Sequence, residues 1–189
     1  MALTPSTMLA LGTPAPDFDL PNVVTGRRVS LRRYAMHTPT LVIFLCRHCP
    51  YVIHVEKELV RLGRDYAEAS LRIVAISAND AATYPADAPD QLAAWARKLG
   101  LPFPLLYDET QETARAYTAA CTPDFFLFDS GHRLIYRGQL DGSRPGNGLP
   151  VTGADLRAAL DAVLAGKPVS AEQRPSMGCN IKWKKTPLP

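Results

Sequence analysis

Two short runs in the first half of the chain are apolar almost without interruption: Thr40 to Leu45 (TLVIFL) and Leu71 to Ser77 (LRIVAIS). Both are rich in β-branched residues and bounded by turn formers, the pattern of strands covered on both faces. Between them the period changes. Val52, Val55, Leu59, Leu62 and Tyr66 fall on one helical face, while Glu56, Lys57, Arg61, Arg64 and Asp65 take the other. Strand, amphipathic helix and strand over about forty residues make a βαβ unit, which predicts a parallel pair.

The pattern continues downstream. Asp90 to Leu99 repeats the helical period through Leu92, Trp95 and Leu99, and Gly100 with Pro102 stops it. Pro104 to Tyr107 predicts a short strand, and Asp108 with Gln111 caps a helix reaching Tyr117. DFFLFDSGHRLIYRG reads as a hairpin, Phe125 to Phe128 against Arg133 to Arg137 across Ser130-Gly131. A last helix carries Leu156, Leu160, Val163 and Leu164 on one face. Asp17 to Leu31 alternates more weakly about a Thr25-Gly26 turn and predicts an added N-terminal hairpin. The 17 prolines sit between these segments as loop punctuation, not as interdomain linkers. The order predicts one α/β domain over 11–168, a flexible N-terminus over 1–10, and a tail over 169–189 docked through Ile181 and Trp183.

Composition narrows the function classes. A chain of 189 residues, 47% apolar and 21% charged, is that of a globular protein with one sizeable core. Its 21 basic and 18 acidic side chains leave +3, spread along the chain, which gives no electrostatic footprint for nucleic acid or anionic lipid. Only Lys182-Trp183-Lys184-Lys185 is locally basic, and it reads as a solvated end. MALTPSTMLALGTPAPDF lacks a basic n-region, so no signal peptide is predicted. No apolar run approaches the ~20 residues of a membrane helix. The expectation is a cytoplasmic protein without membrane contact.

The chemistry concentrates in FLCRHCPYV. Cys46 and Cys49 stand where a buried strand ends and an amphipathic helix begins. Unpaired N–H groups and the positive end of the helix dipole stabilise a thiolate there. Arg47 adds a fixed positive charge and His48 a titratable one, both candidates for tuning the thiol pKa values. Pro50 falls in the first turn, where a missing N–H costs least. The corner predicts Cys46 as the outer, attacking sulfur and Cys49 as the resolver. The same residues also suit a metal-binding module, with His48 and His54 nearby. Cys121 and Cys179 do not supply the second close-spaced pair of a zinc site, so the dithiol reading leads.

LGTPAPDFDL, VIFLCRHCP and CTPDFFLFDSGHRLIYRG, in this order, resemble the entry segment, active-site corner and cis-proline loop of a known group. From Leu11 to Lys167 the chain is similar to peroxiredoxin-like, AhpC/TSA-related proteins of thioredoxin fold, including the TlpA/ResA thiol-disulfide oxidoreductases. The resemblance implies a central mixed sheet flanked by helices. It also implies a cis peptide at Thr122-Pro123 facing the cysteines, leaving the Thr122 backbone to pair with an extended substrate segment. Several positions depart from the pattern. If Cys49-Pro50 matches the peroxide-reacting Cys-Pro of peroxiredoxins, Cys46 stands where they have threonine and Val42 where they have proline. Leu45 and Thr40 replace the tryptophan and buried aspartate of thioredoxin. C-R-H-C resembles instead the C-x-H-C of disulfide oxidants, implying a potential above thioredoxin's ~ −270 mV, near ~ −200 mV.

These features predict thiol-disulfide exchange with a protein or a low-molecular-weight thiol or disulfide, with thiol peroxidase as the nearest rival. No cofactor and no resident metal are called for, and the protein is expected as a monomer or homodimer. Cys121 and Cys179 are possible accessory thiols, each equally readable as a packed side chain. The turn-rich loop from Arg137 to Gly153, which carries Arg144, lacks a phosphate-binding glycine spacing. His37, His54 and His132 read as structural or solvated.

Overall fold

The structure, a computed structural model, describes residues 3–185. In chain order the first half contains β1 (Leu3–Pro5), β2 (Asp19–Pro21), β3 (Arg28–Ser30), α1 (Leu31–Ala35), β4 (Thr40–Phe44), α2 (Pro50–Asp65) and β5 (Arg72–Ser77). A 3₁₀ turn at Pro85–Asp87 leads into α3 (Pro89–Leu99), β6 (Leu105–Tyr107) and α4 (Glu112–Ala116). The chain ends with β7 (Cys121–Thr122), β8 (Asp124–Phe128), β9 (Leu134–Gly138), α5 (Ala154–Leu164) and β10 (Met177–Asn180).

Five strands form the central mixed sheet in the order β6-β5-β4-β8-β9. The predicted βαβ unit gives the parallel pair β4 and β5, with β6 parallel beyond it. The hairpin β8–β9 runs antiparallel on the other side of β4. Continuous apolarity follows from this position, because alternate side chains serve two cores. Leu41, Ile43, Ile73, Ala75, Phe125 and Leu127 face the core shared with α2 and α5. Val42, Phe44, Val74, Ile76, Phe126 and Phe128 face the opposite one. Each such side chain fully removed from water contributes about 1.5–3 kcal/mol.

Val52, Val55, Leu59 and Leu62 of α2 fill the first core. Its outer flank is tied to α5, where Glu58 accepts from Arg157 at 2.9 Å and the Tyr66 hydroxyl donates to Asp161 at 2.6 Å. Tyr117 anchors the second core, edge-on to Phe44, Phe126 and Phe128 with centroids 5.5–5.9 Å away.

The added hairpin forms as β2 and β3, so the thioredoxin-like fold carries an N-terminal extension. The ends of the chain hold a feature that periodicity did not anticipate. β10 is the middle strand of a small antiparallel sheet, between β1 and β7. Residues 1–10 were expected to be flexible, yet Leu3–Pro5 pairs with Met177–Cys179 in that sheet. A three-residue strand has no period to read; partner hydrogen bonds, not its own sequence, define it.

Candidate active site

β4 delivers the chain to the site. Beyond Phe44, the Leu45 N–H still bonds the Ile76 carbonyl at 2.9 Å, so Cys46 leaves the sheet from a fixed position. Cys49 is the N-cap of α2, with extended backbone angles, and Pro50 is the first helical residue. The proline therefore costs no intrahelical bond. The Val52 N–H bonds the Cys49 carbonyl at 3.0 Å, and the Cys46 thiol first, then the Cys179 thiol, the Thr122 hydroxyl and the Val52 N–H, stabilise a negative charge on Cys49. Against these, Cys49 Sγ lies 3.1 Å from the Thr122 carbonyl oxygen, a contact that favours the protonated thiol.

The donors win over that contact and over burial, and bring the Cys49 thiol down to about 5. Cys46 moves the other way. Its hydrogen bond to Cys49, its burial and the nearby Asp87 carboxylate all push its thiol up, while Thr122 Oγ1 at 3.2 Å pulls it down. The pair thus keeps its proton on Cys46 and its negative charge on Cys49. Exposure does not rank the two sulfurs as the corner geometry predicted: Cys46 is 1% exposed and Cys49 0%. β10 and the cis-proline loop cover both.

Asp87 is the residue that sequence reasoning missed. It is fully buried, and its Oδ1 accepts the Arg47 backbone N–H at 2.8 Å. Oδ2 accepts from the Asn79 amide at 2.8 Å and lies 2.6 Å from His48 Nδ1, off the line of a good N–H···O bond. His48 stacks on Tyr84, with planes 5° apart and centroids at 5.6 Å. The Arg47 guanidinium points to Gln91 and the Ala86 carbonyl, so Arg47 acts on the corner through its backbone. Nothing local in PAD marks this aspartate, since only the fold carries the turn back to Cys46.

Cys46, His48 and Asp87 bring one ligand atom each within 4.8 Å of one another. Two ligands of a tetrahedral zinc stand about 3.3 Å apart at ordinary bond lengths. His48 and Asp87 are closer than that, and both carboxylate oxygens already accept N–H donors. The arrangement suits a histidine–carboxylate contact beside a thiol better than a metal.

The Thr122-Pro123 peptide is cis, as the resemblance implies. The Thr122 backbone, expected to receive a substrate segment, pairs instead with the chain's own β10, with Cys179 opposite Thr122 and Asn180 opposite Cys121. Ser176 Oγ donates to the Pro123 carbonyl at 2.6 Å, and the Ile181 N–H to Ala120 at 3.1 Å. Cys179 is 3% exposed, and burial with its bond to Cys49 pushes its thiol up to about 12. Cys121 faces the Pro123 carbonyl, its Sγ at 3.6 Å, and burial beside Asp124 pushes its thiol up. The loop carrying Arg144 folds onto Asp141, and Arg144 borders a small cleft with Pro123, Tyr51 and His54.

The profile of the AhpC/TSA family matches residues 11–137, which is β2 through most of β9 together with both cysteines of the corner. The chain belongs to the AhpC/TSA family. Among curated proteins none matches it. It resembles an uncharacterized conserved protein from Geobacillus kaustophilus, 53% identical over 98% of each chain with a TM-score of 0.96. It also resembles a hypothetical protein from Sinorhizobium meliloti 1021, 47% identical over 97% of this chain and 100% of that one, TM-score 0.94. A thiol:disulfide interchange protein of the thioredoxin family from Chlorobium tepidum TLS is 18% identical over 82% of this chain and 98% of that one. Its TM-score of 0.62 supports the shared fold. This AhpC/TSA chain therefore has an oxidoreductase-type site: a cysteine pair at a helix N-terminus facing a cis-proline. Among the described residues no helix is long and apolar enough to cross a membrane.

Proposed function

We propose that the chain is a thiol-disulfide oxidoreductase that cycles Cys46 and Cys49 between dithiol and disulfide. The observation that carries this reading is the geometry of the pair: Cys49 is the N-cap of α2, and the sulfurs of Cys46 and Cys49 both contact Thr122 of the cis Thr122-Pro123 peptide, at 3.2 and 3.1 Å. In this reading Cys49 attacks a disulfide sulfur, the leaving thiolate departs, and Cys46 then attacks Cys49 to release the second half of the substrate. Two substrate thiols form and one Cys46–Cys49 disulfide results, so electrons balance. Asp87 and His48 sit where the Cys46 proton must leave. Because β10 fills the Thr122 edge, the substrate is a low-molecular-weight disulfide rather than an extended protein segment. The four cysteines are free, buried thiols, which favours a reducing, cytoplasmic compartment.

Disulfide mapping after equilibration in glutathione buffers tests the proposal. A Cys46–Cys49 disulfide with a midpoint near ~ −200 mV is expected. A chain that keeps both thiols across about −300 to −150 mV overturns it.

One observation favours a second reading, a thiol peroxidase. The lowered thiol is Cys49, the sulfur aligned by resemblance with the peroxide-reacting cysteine, and it precedes Pro50. Stoichiometric consumption of H₂O₂ by the reduced protein, lost in Cys49→Ser, would establish it.

A further inference from the structure

β10 is built into the site, not laid over it. Its backbone pairs with β1 on one edge and β7 on the other. Past its end, the Lys182 N–H bonds Asn79 Oδ1 at 2.8 Å and the Lys182 carbonyl accepts from Asp80 and Gln111, each at 2.9 Å. Asn79 is the residue that also holds Asp87. At Gly178 the strand approaches the cis-proline loop so closely that a Cβ would stand 2.0 Å from the Thr122 oxygen. This packing puts Cys179 opposite Thr122, on the backbone edge beside the cysteine pair, where Cys49 Sγ lies 3.1 Å from the Thr122 carbonyl oxygen.

Cys49 is therefore flanked by two thiols. From the register of β10, which sets Cys179 opposite Thr122, and from the 3.1 Å approach of Cys49 Sγ to the Thr122 carbonyl, we infer that Cys179 is a third redox cysteine, which exchanges with Cys49 and leaves Cys46 as a thiol. The inference rests on the reading of Cys46 and Cys49 as a redox couple. In the oxidised protein the Cys179 thiolate attacks Cys49 Sγ. The Cys49–Cys179 bond forms, the Cys46–Cys49 bond breaks, and the electron pair leaves on Cys46, which takes up the proton that Cys179 lost. Nothing is oxidised or reduced in this step, so it needs no further reagent. When Cys49 instead carries a small thiol from a substrate disulfide, the same attack expels that thiol, and Cys179 competes with Cys46 as resolver.

Cys121 has no such place. Its sulfur lies 3.6 Å from the Pro123 carbonyl, and Asn180, not Cys179, stands opposite it on β10. The structure thus distinguishes two accessory cysteines that the sequence left equal.

The test uses the full chain with glutathione disulfide as oxidant. Cys46→Ser should form an intramolecular Cys49–Cys179 disulfide with no retained glutathione, one glutathione disulfide giving two glutathione molecules. Cys46→Ser with Cys179→Ser should hold a Cys49–glutathione adduct about tenfold longer, since the tethered resolving thiol is gone. An adduct on Cys49 in Cys46→Ser, with Cys179 still alkylated quantitatively, overturns the inference. Wild-type protein provides a measurement free of folding defects. Oxidised wild type should contain a Cys49–Cys179 isomer in which Cys46 takes up alkylating agent, and its complete absence at every ratio counts against the inference. A Cys46–Cys49 disulfide in wild type without any bond to Cys179 leaves the proposed function standing. Absence of the Cys46–Cys49 disulfide removes that function whatever Cys179 does.

Discussion

A Cβ on Gly178 would stand 2.0 Å from the carbonyl oxygen of Thr122 and 2.6 Å from its carbonyl carbon. Backbone against backbone, neither side yields by a rotamer change. Gly178→Ala should push β10 away from β7 and cost about 1–3 kcal/mol, the usual range for overpacking. In a chain of this size each kcal/mol lowers Tm by about 2–4 °C. The same variant should lose the Cys49–Cys179 contact. A thermal melt together with disulfide mapping checks both, and an unchanged melt would mean that β10 is not seated as described.

Cys49 should give the reduced protein a distinctive pH dependence. Its thiol is brought down to about 5, whereas in the unfolded chain a cysteine titrates near about 8.5. Between those values the unfolded state binds more protons, so stability rises with pH across the window and is lost as pH falls through about 5. In urea melts at intervals from pH 5 to 8, the stability of reduced wild type relative to Cys49→Ser should rise with pH. Alkylation of Cys49 should likewise persist at pH 6, where an ordinary thiol is nearly inert.

Asp87 acts on Cys46 through charge. Replacing it with asparagine keeps an acceptor for the Arg47 N–H but removes the anion that disfavours a second thiolate. In a Cys49→Ser background, Asp87→Asn should lower the midpoint of the Cys46 alkylation profile and speed alkylation several-fold at pH 8. A midpoint that does not move would assign Asp87 to anchoring Arg47 and Asn79 alone.

How far the sequence carried these conclusions depended on whether the signal was local. The β4–α2–β5 unit and the β8–β9 hairpin were legible because buried faces impose a period on many consecutive residues. β7 and β10 were not, since Cys121–Thr122 and Met177–Asn180 are short and MGCN has no β-branched residue. Cys46, Cys49, Thr122 and Pro123 could be singled out because motif and chain order mark them. Asp87 and the place of Cys179 were not, because only tertiary folding brings a turn at residue 87 and a strand at residue 179 to the same corner. The burial of both sulfurs was hidden for the same reason. A helix corner read alone leaves Cys46 outermost, and the segment that covers it comes from the far end of the chain.

Asp124 follows the cis-proline directly and is fully buried, and that burial sets up the last expectation. The Ala120 N–H reaches its Oδ2 at 3.4 Å, while Oδ1 has no aligned hydrogen-bond partner. Desolvation dominates, and the carboxyl is pushed up to about 7. An unfolded aspartate titrates near about 3.9. Between the two values the native state binds more protons, so this group takes stability away as pH rises from about 4 to 7 and adds no further slope above that. Its sign is opposite to that of Cys49, and substitution separates the two. Asp124→Asn keeps the shape and stays neutral, so it should abolish the loss and leave the protein more stable above pH 7, by on the order of 4 kcal/mol at most. Urea melts of wild type and variant at pH 5 and pH 8 give the comparison. The gap should be about 1.5 kcal/mol at the lower pH and widen to its full size at the higher one; a constant offset at both would show that the charge of Asp124 is not what burial strains.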